Sequence, residues 1–424
     1  MQTRIVQGTG VMRWGSAVSD SASLTEAIGH ASEIVLEQLD GRPADLVMTF
    51  VSYQHASSFY SVNELLRQYF DDAVIVGCSG AGVIGGGSEV EHRPGVAISA
   101  ASLPGVSITP FHITQDDLPT PDSPPDSWED LIGVPAIEDP SLILLPDPLS
   151  IEADRLISGL DYAYPRSPKI GGLASGGSQD TPHALFLAGK THRSGVVGVA
   201  LAGDIKIDTI VAQGCRPVGE PMVITECENN VIRKLGDKTP LEVLKTLFST
   251  GDEQDRWLMR RALHIGVVMD RLATSFGAGD FLIRNVMGLD EDSGALIVGE
   301  KLQEGQIVQF HLRDAETARE DLAAVLDRYL EDNPGRDPEA AMIFSCVGRG
   351  QHLFRRPNHD TELFEEMVAR VPLTGFFCNG EIGPVGGTTF LHGYTSSFAL
   401  IGRRSTGPES FKSESGHSES GLDN

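Results

Sequence analysis

The chain has 424 residues, with 33 Lys and Arg against 59 Asp and Glu and a formal net charge of −26. That length exceeds one ordinary domain and predicts two of about 200 residues each. The acidity and the lack of a basic patch argue against phosphate backbones and anionic membrane surfaces, so neither nucleic acid nor membrane is an expected partner.

The N-terminus, MQTRIVQGTG, lacks the apolar core of a signal peptide, and no run approaches the roughly 18 apolar residues of a membrane span. The five cysteines (78, 215, 227, 346 and 378) are odd in number and form no CxxC pair. A disulfide framework or a structural zinc site is therefore not expected, and a reducing, cytoplasmic setting is.

Three stretches share one pattern. The first runs from the apolar strand 46–51 (LVMTFV) through a helix at 62–70 and a strand at 73–76. Then come the glycine loop GCSGAGVIGGG and a strand from Val96. The second has LILL at 142–145, a helix at 151–160, PKIGGLASGG at 168–177 and a strand at 195–202. The third has AMIFSC at 341–346, a helix at 361–371, GFFCNGEIGPVGG at 375–387 and a strand at 394–401. The spacings agree: 30 residues from Val47 to Gly77, 28 from Ile143 to Gly171, and 32 from Ile343 to Gly375. Each unit thus reads strand, helix, strand, glycine loop, strand, with the first two strands parallel.

The first loop carries Gly80-x-Gly82-x-x-Gly85, the spelling of a dinucleotide site. Such a loop must open a helix whose N-terminus holds the pyrophosphate. Here further glycines and a proline follow, and then a strand, so the loop joins strand to strand and no nucleotide cofactor is expected.

Between the first two units, LPTPDSPPDSWED (118–130) reads as a surface connection. Between the second and third, Thr239 caps a short helix at 240–248 that opens on proline. Segments at 264–269, 281–290, 294–302 and 305–314 then suggest an antiparallel meander, followed by a helix at 315–330. Residues 403–424, ending SESGHSESGLDN, have the composition of a disordered tail. The fold class is α/β: two associated domains, 1–216 and 217–402, built from the repeated units with the meander in the C-terminal half.

From about residue 20 to 402 the chain resembles the FIST (F-box and intracellular signal transduction) proteins. An N-terminal FIST domain is suggested by VIVGCSGAGVIGG, IGGLASGG and QGCRPVGEPMVIT. A C-terminal one is suggested by PLEVL, FLIRNVMGLDEDSGALIVGEKLQEGQIVQFHLRDA, FSCVGRG, GFFCNGEIGPVGG and FLHGYTSSFAL. The resemblance implies a sensory module for small ligands, amino acids or their relatives among them. Related chains join it to an F-box or an output domain. This sequence shows neither, so a separate signalling partner is expected.

The third glycine loop is the most polar. Cys378, Asn379, Gly380 and Glu381 set an acid beside an amide in a glycine turn, suited to an ammonium group, and exposed N–H groups there suit a carboxylate. His392, Tyr394 and Thr395 start the next strand within reach of the same cleft. Arg349, leaving the FSCVGRG strand, is placed to clamp a carboxylate. The competing structural reading pairs Arg349 with Glu381. Cys78, Ser79 and Gly80 occupy the matching place in the first unit.

A cysteine nucleophile at Cys378, with Glu381 and His392 as acid or base, is the alternative enzymatic reading; it needs a nearby base and a lowered pKa. Ser79 is not in a GxSxG elbow. His352 and His359, with Asp360, lack zinc spacing and read as solvated. The expectation is a non-enzymatic ligand-binding protein without metal or cofactor, with a ligand-free scaffold as the further alternative.

Overall fold

The computed structural model describes residues 2–8, 10–178, 181–270, 273, 275–277 and 279–404. The tail expected at 403–424 lies outside the described residues except for its first two.

A short strand, β1 (Arg4–Ile5), precedes three units built alike. The first unit is β2 (Arg13–Ser19), α1 (Leu24–Gln38), β3 (Leu46–Ser52), α2 (Val62–Arg67), β4 (Val74–Gly80), the hairpin β5 (Gly82–Gly85) and β6 (Ser88–Glu91), and β7 (Val96–Ser102). The second is β8 (Val106–Ile113), α3 (Pro125–Ile132), β9 (Ser141–Pro146), α4 (Ala153–Ala163), β10 (Lys169–Gly172), the hairpin β11 (Leu185–Leu187) and β12 (Lys190–His192), and β13 (Val196–Gly203).

The third unit opens with β14 (Lys206–Ala212) and is then interrupted by an insertion. The insertion holds β15 (Arg216–Glu228), β16 (Val231–Leu235), α5 (Pro240–Thr250), α6 (Glu253–Met259), β17 (Leu263–Val268), β18 (Phe281–Leu289), β19 (Leu296–Val298) and β20 (Ile307–Leu312). The unit resumes with α7 (Ala315–Asp332), β21 (Ala340–Cys346), α8 (Gly350–Phe354), α9 (His359–Met367), β22 (Leu373–Cys378), the hairpin β23 (Glu381–Val385) and β24 (Thr388–His392), and β25 (Ser396–Gly402).

The α/β class and the repeated units stand, and the meander closes with β15 and β16 into a six-stranded barrel. Thr239 caps α5 as expected: its Oγ accepts from the Glu242 N–H, and the Glu242 carboxylate accepts from the Thr239 N–H at 2.8 Å. The strand-to-strand reading of the first glycine loop holds, since β4 runs into β5 with one residue between them.

The hairpins depart from the linear picture. None joins its own unit's sheet. β5 pairs with β22, β11 with β4, and β23 with β10, so each unit lends its hairpin to a neighbour in a closed cycle. The resulting sheets are β2-β7-β3-β4-β11-β12, β1-β8-β13-β9-β10-β23-β24 and β14-β25-β21-β22-β5-β6. The 216/217 boundary falls at the start of the barrel, but β14 on its N-terminal side belongs to the third unit's sheet through β25.

One glycine per unit explains the shared spacing. A Cβ on Gly77 would sit 1.8 Å from the Thr49 carbonyl oxygen, on Gly171 1.9 Å from that of Leu144, and on Gly375 1.7 Å from that of Ile343. Each lies on the second parallel strand against the first. The glycines are required by the close approach of backbone. The central strands β3, β9 and β21 are buried along their whole length, as strands covered on both faces must be.

The 118–130 connection holds more than turns. Its second half begins α3, which buries Trp128 against α4 so closely that a Cβ on Gly159 would strike the indole. Among the described residues no helix is long and apolar enough to cross a membrane.

Candidate functional site

The expected site residues separate into packed and charged groups. Cys78 and Cys378 both lie in the central core, fully buried, and burial pushes both thiols well above their ordinary range. The Cys378 Sγ donates to the Phe376 carbonyl at 3.4 Å, and a Cβ on Gly172 would collide with it. A thiol held neutral in this way is a poor nucleophile. The Ser79 hydroxyl accepts from the Ala184 N–H (3.1 Å), while Gly80 stands against Phe376. Asn379 is exposed and donates to the Ala174 carbonyl (3.2 Å). These loops stitch the units together: Ser175 bridges the Ala81 N–H and the Phe377 carbonyl across them.

His392 is buried with Nε2 3.0 Å from the Gly383 carbonyl, and burial lowers its pKa to about 4. It is held by its own hairpin. His359, read as solvated from sequence, is instead buried, stacked on Phe354 and bonded to Asp360 (3.0 Å); its helix α9 turns that side inward.

The remaining candidates converge where the ring of units meets the barrel. Arg349 caps α8 just beyond β21 and is 0% exposed. Its partner is Asp360, not Glu381: Nε donates to Oδ2 at 2.7 Å and Nη2 to Oδ1 at 2.9 Å. Burial alone would raise the Asp360 pKa, but Arg349 and the bonded His359 hold it well below the usual carboxylate range. Glu381 is also fully buried; its Oε2 accepts from the Thr395 hydroxyl (2.7 Å) and N–H (3.1 Å). Burial raises its pKa to about 8, more than the Thr395 bonds lower it.

Tyr394 takes a left-handed φ of +67° and donates its hydroxyl to Asn285 of the barrel. This turn presents the ring to Arg313, whose guanidinium lies 4.8 Å from the ring centroid.

Arg313 was not anticipated. It follows β20, at the second chain crossing between barrel and ring, and is 7% exposed. No carboxylate lies within ion-pair distance among the described residues, and its Nε and Nη2 have no hydrogen-bond partner. Two further atoms nearby share that condition: Nη1 of Arg349 and Oε1 of Glu381. The two arginines are close enough for Arg349 to lower the pKa of Arg313, after burial, which acts most strongly.

Glycines make room for both head groups. A Cβ on Gly348 would be 2.9 Å from Arg313 Nη1, and one on Gly214 would be 2.8 Å from Arg349 Nη1. Cys346 and Cys215 border the cluster, their thiols pushed up to about 12 chiefly by burial. Two buried guanidiniums with three unpartnered nitrogens thus stand beside a buried carboxyl with a free oxygen, an unusual set of unsatisfied polar atoms in a fold interior.

The only signal of Arg313 in the sequence was its place in HLRDA, a charge breaking an apolar strand end. The second unit's strand end holds another unanticipated pair, His183 Nδ1 on Asp147 (2.7 Å). Among the described residues no group of three or more His, Cys, Asp or Glu side chains is placed to hold a metal ion.

A FIST N domain matches residues 45–238 and a FIST C domain residues 240–384, so the chain belongs to the FIST family. An uncharacterised protein of Mycobacterium tuberculosis is 35% identical over 394 residues, covering 92% of this chain and 100% of its own length. An uncharacterised Mycobacterium bovis protein is 33% identical over 393 residues, covering 92% and 99%. Human F-box only protein 22 shares 28% identity over 137 residues, 28% of this chain and 33% of its own. A cyanuric acid hydrolase structure from A. caulinodans aligns with 93% of this chain and 100% of its own at a TM-score of 0.33 and 9% identity, too distant to bear on activity. FIST domains are associated with intracellular signal transduction.

Proposed function

We propose that this protein is a cytoplasmic sensor of a small metabolite carrying a carboxylate and an amine, an amino acid or a close relative, and that it binds this ligand without turning it over. The ligand carboxylate lies on Arg313 and the free Nη1 of Arg349, and its ammonium takes the place of the Glu381 proton, which is released to solvent, and lies on Oε1. The observation that supports this reading is Arg313. A buried cation without a counter-charge is among the costliest features a fold can keep, and one natural reason to keep it is a ligand that supplies the charge. Tyr394 positions Arg313 through ring contact and bridges to the barrel through Asn285, so a ligand there touches ring and barrel together. A separate signalling protein reads the result.

The test is a thermal-shift screen against the twenty amino acids and simple amines and carboxylates. Ligand at about 100 times Kd should add roughly 2.7 kcal/mol to the native state. A shift with an amino acid that disappears in Arg313→Met supports the site. A shift that survives in Arg313→Met and in Glu381→Gln refutes it.

A further inference from the structure

The cyclic arrangement creates three equivalent clefts at the rim, where the first strand of one unit passes the strand starts of a neighbour. Strand register fixes the equivalence. Ser107 faces Ala202, Arg13 faces Ser102, and Lys206 faces Gly402. The neighbour's acid is fixed by the same backbone bond: the Asp45 N–H donates to the Ala101 carbonyl (2.7 Å) and the Glu339 N–H to the Ile401 carbonyl (2.8 Å).

One cleft is filled by the chain itself, and a second, which keeps an open volume of about 760 Å³, is bordered by Arg404. Beside β8, β1 adds a two-residue strand, with Arg4 opposite Ile108 and Ile5 opposite Ser107. Arg4 then pairs with Asp45 at 2.7 Å and reaches the Asp72 carbonyl. Beside β14, proline 140 stands at the acid position, and Arg404 binds the Asp139 and Ile205 carbonyls (2.6 and 3.2 Å).

The third cleft, beside β2, keeps the acid, and no described segment of the chain adds a strand there. It encloses about 660 Å³ and is lined by Arg13, Trp14, Glu339 and Glu365 among others. Glu339 is exposed, and its carboxylate makes no ion pair or hydrogen bond with a described residue. Trp14 is buried, yet its indole N–H has no partner. Gln38 covers the Ser16 N–H (2.7 Å), which limits any added strand to the Arg13–Trp14 end, the length that β1 pairs on β8.

We propose that this cleft docks an extended basic segment of a partner protein, an arginine or lysine followed by β-branched residues. The cation sits on Glu339 as Arg4 sits on Asp45, the backbone adds a short strand to β2, and the indole N–H of Trp14 donates to the incoming chain. Strand addition supplies affinity and the acid–base contact at Glu339 selects the residue. This inference does not depend on the ligand site above.

The test uses a labelled peptide, Gln-Thr-Arg-Ile-Val-Gln, which has the sequence of the chain's own arm, titrated into the full-length protein by fluorescence anisotropy. Saturable binding is expected. It should weaken about tenfold or more in Glu339→Lys and stay unchanged in Asp45→Asn. The Arg→Glu peptide should bind Glu339→Lys and not the native chain. Three outcomes overturn the proposal: no saturable binding; loss in Asp45→Asn but not Glu339→Lys, meaning exchange with the arm; or a peptide-dissociated dimer, assigning the cleft to a second copy.

Discussion

The first and third units end their parallel strands with the same backbone and opposite chemistry. Gly77 and Gly375 press against the neighbouring strand in the same way, and Cys78 and Cys378 meet in one core. Beyond that point the first unit is closed off by its neighbours: Ser79 accepts from the Ala184 N–H of the second unit and Gly80 is packed against Phe376 of the third. The third unit instead opens onto the barrel and gathers Arg349, Glu381, Tyr394 and Arg313, with four polar atoms unsatisfied. The shared glycines serve the scaffold, and function is to be sought where the insertion breaks the repeat. A feature common to all three units says how the chain folds; a feature of one unit says what that unit does.

The sharpest way to break the comparison is at Asp360. Asp360→Ala leaves Arg349 buried without its partner and should cost about 3–5 kcal/mol in urea unfolding. Little change would mean that Arg349 is satisfied elsewhere and the third strand end is not special. Gly77→Ala and Gly375→Ala should each lose about 3 kcal/mol, because the new Cβ meets a carbonyl that cannot move away. Unequal losses would undo the structural equivalence of the two strand ends.

Glu381→Gln tests the buried carboxyl through pH. The native state holds its proton up to about pH 8, while an unfolded glutamate releases it near 4.3. The stability this proton contributes is present in full below the unfolded value and declines as pH rises toward 8. Glu89, also raised to about 8 by burial and by Asp360, acts in the same direction. Glu381→Gln should therefore flatten the stability–pH curve between 5 and 8 without abolishing its slope; an unchanged curve would place Glu381 in contact with solvent. The smallest effect is kinetic: Cys78 and Cys378 should both resist iodoacetamide in the native state and react only on unfolding. Selective labelling of Cys378 would revive a nucleophilic role for it.

Much of the scaffold was legible, because buried parallel strands are continuous apolar runs and the recurring glycines keep a fixed spacing. The Thr239 cap and the meander followed from local rules. The hairpin exchange was not legible, since pairing between β5 and β22 is a contact across nearly 300 residues and leaves no local mark. α1 and the strands β2, β8 and β14 lie outside the strand–helix–strand–glycine-loop spacing that marks the repeats, so the sequence did not set them apart. At the site, Arg349, Glu381, Tyr394 and Thr395 were found as polar residues at strand ends, but Arg349 turned to Asp360, eleven residues on in the chain, and not to the glycine loop. Arg313 was missed because its isolation exists only in three dimensions: sequence shows a charge, and only the fold shows that no described carboxylate pairs with it.

The most direct test of the central claim is the urea midpoint of ligand-free Arg313→Met. If Arg313 is buried for a ligand, replacing an unpaired cation with an apolar side chain of similar length should leave the protein as stable as the native chain or more so. A loss comparable to that of Asp360→Ala would mean that Arg313 holds the fold together, and the site proposed here would have to be abandoned.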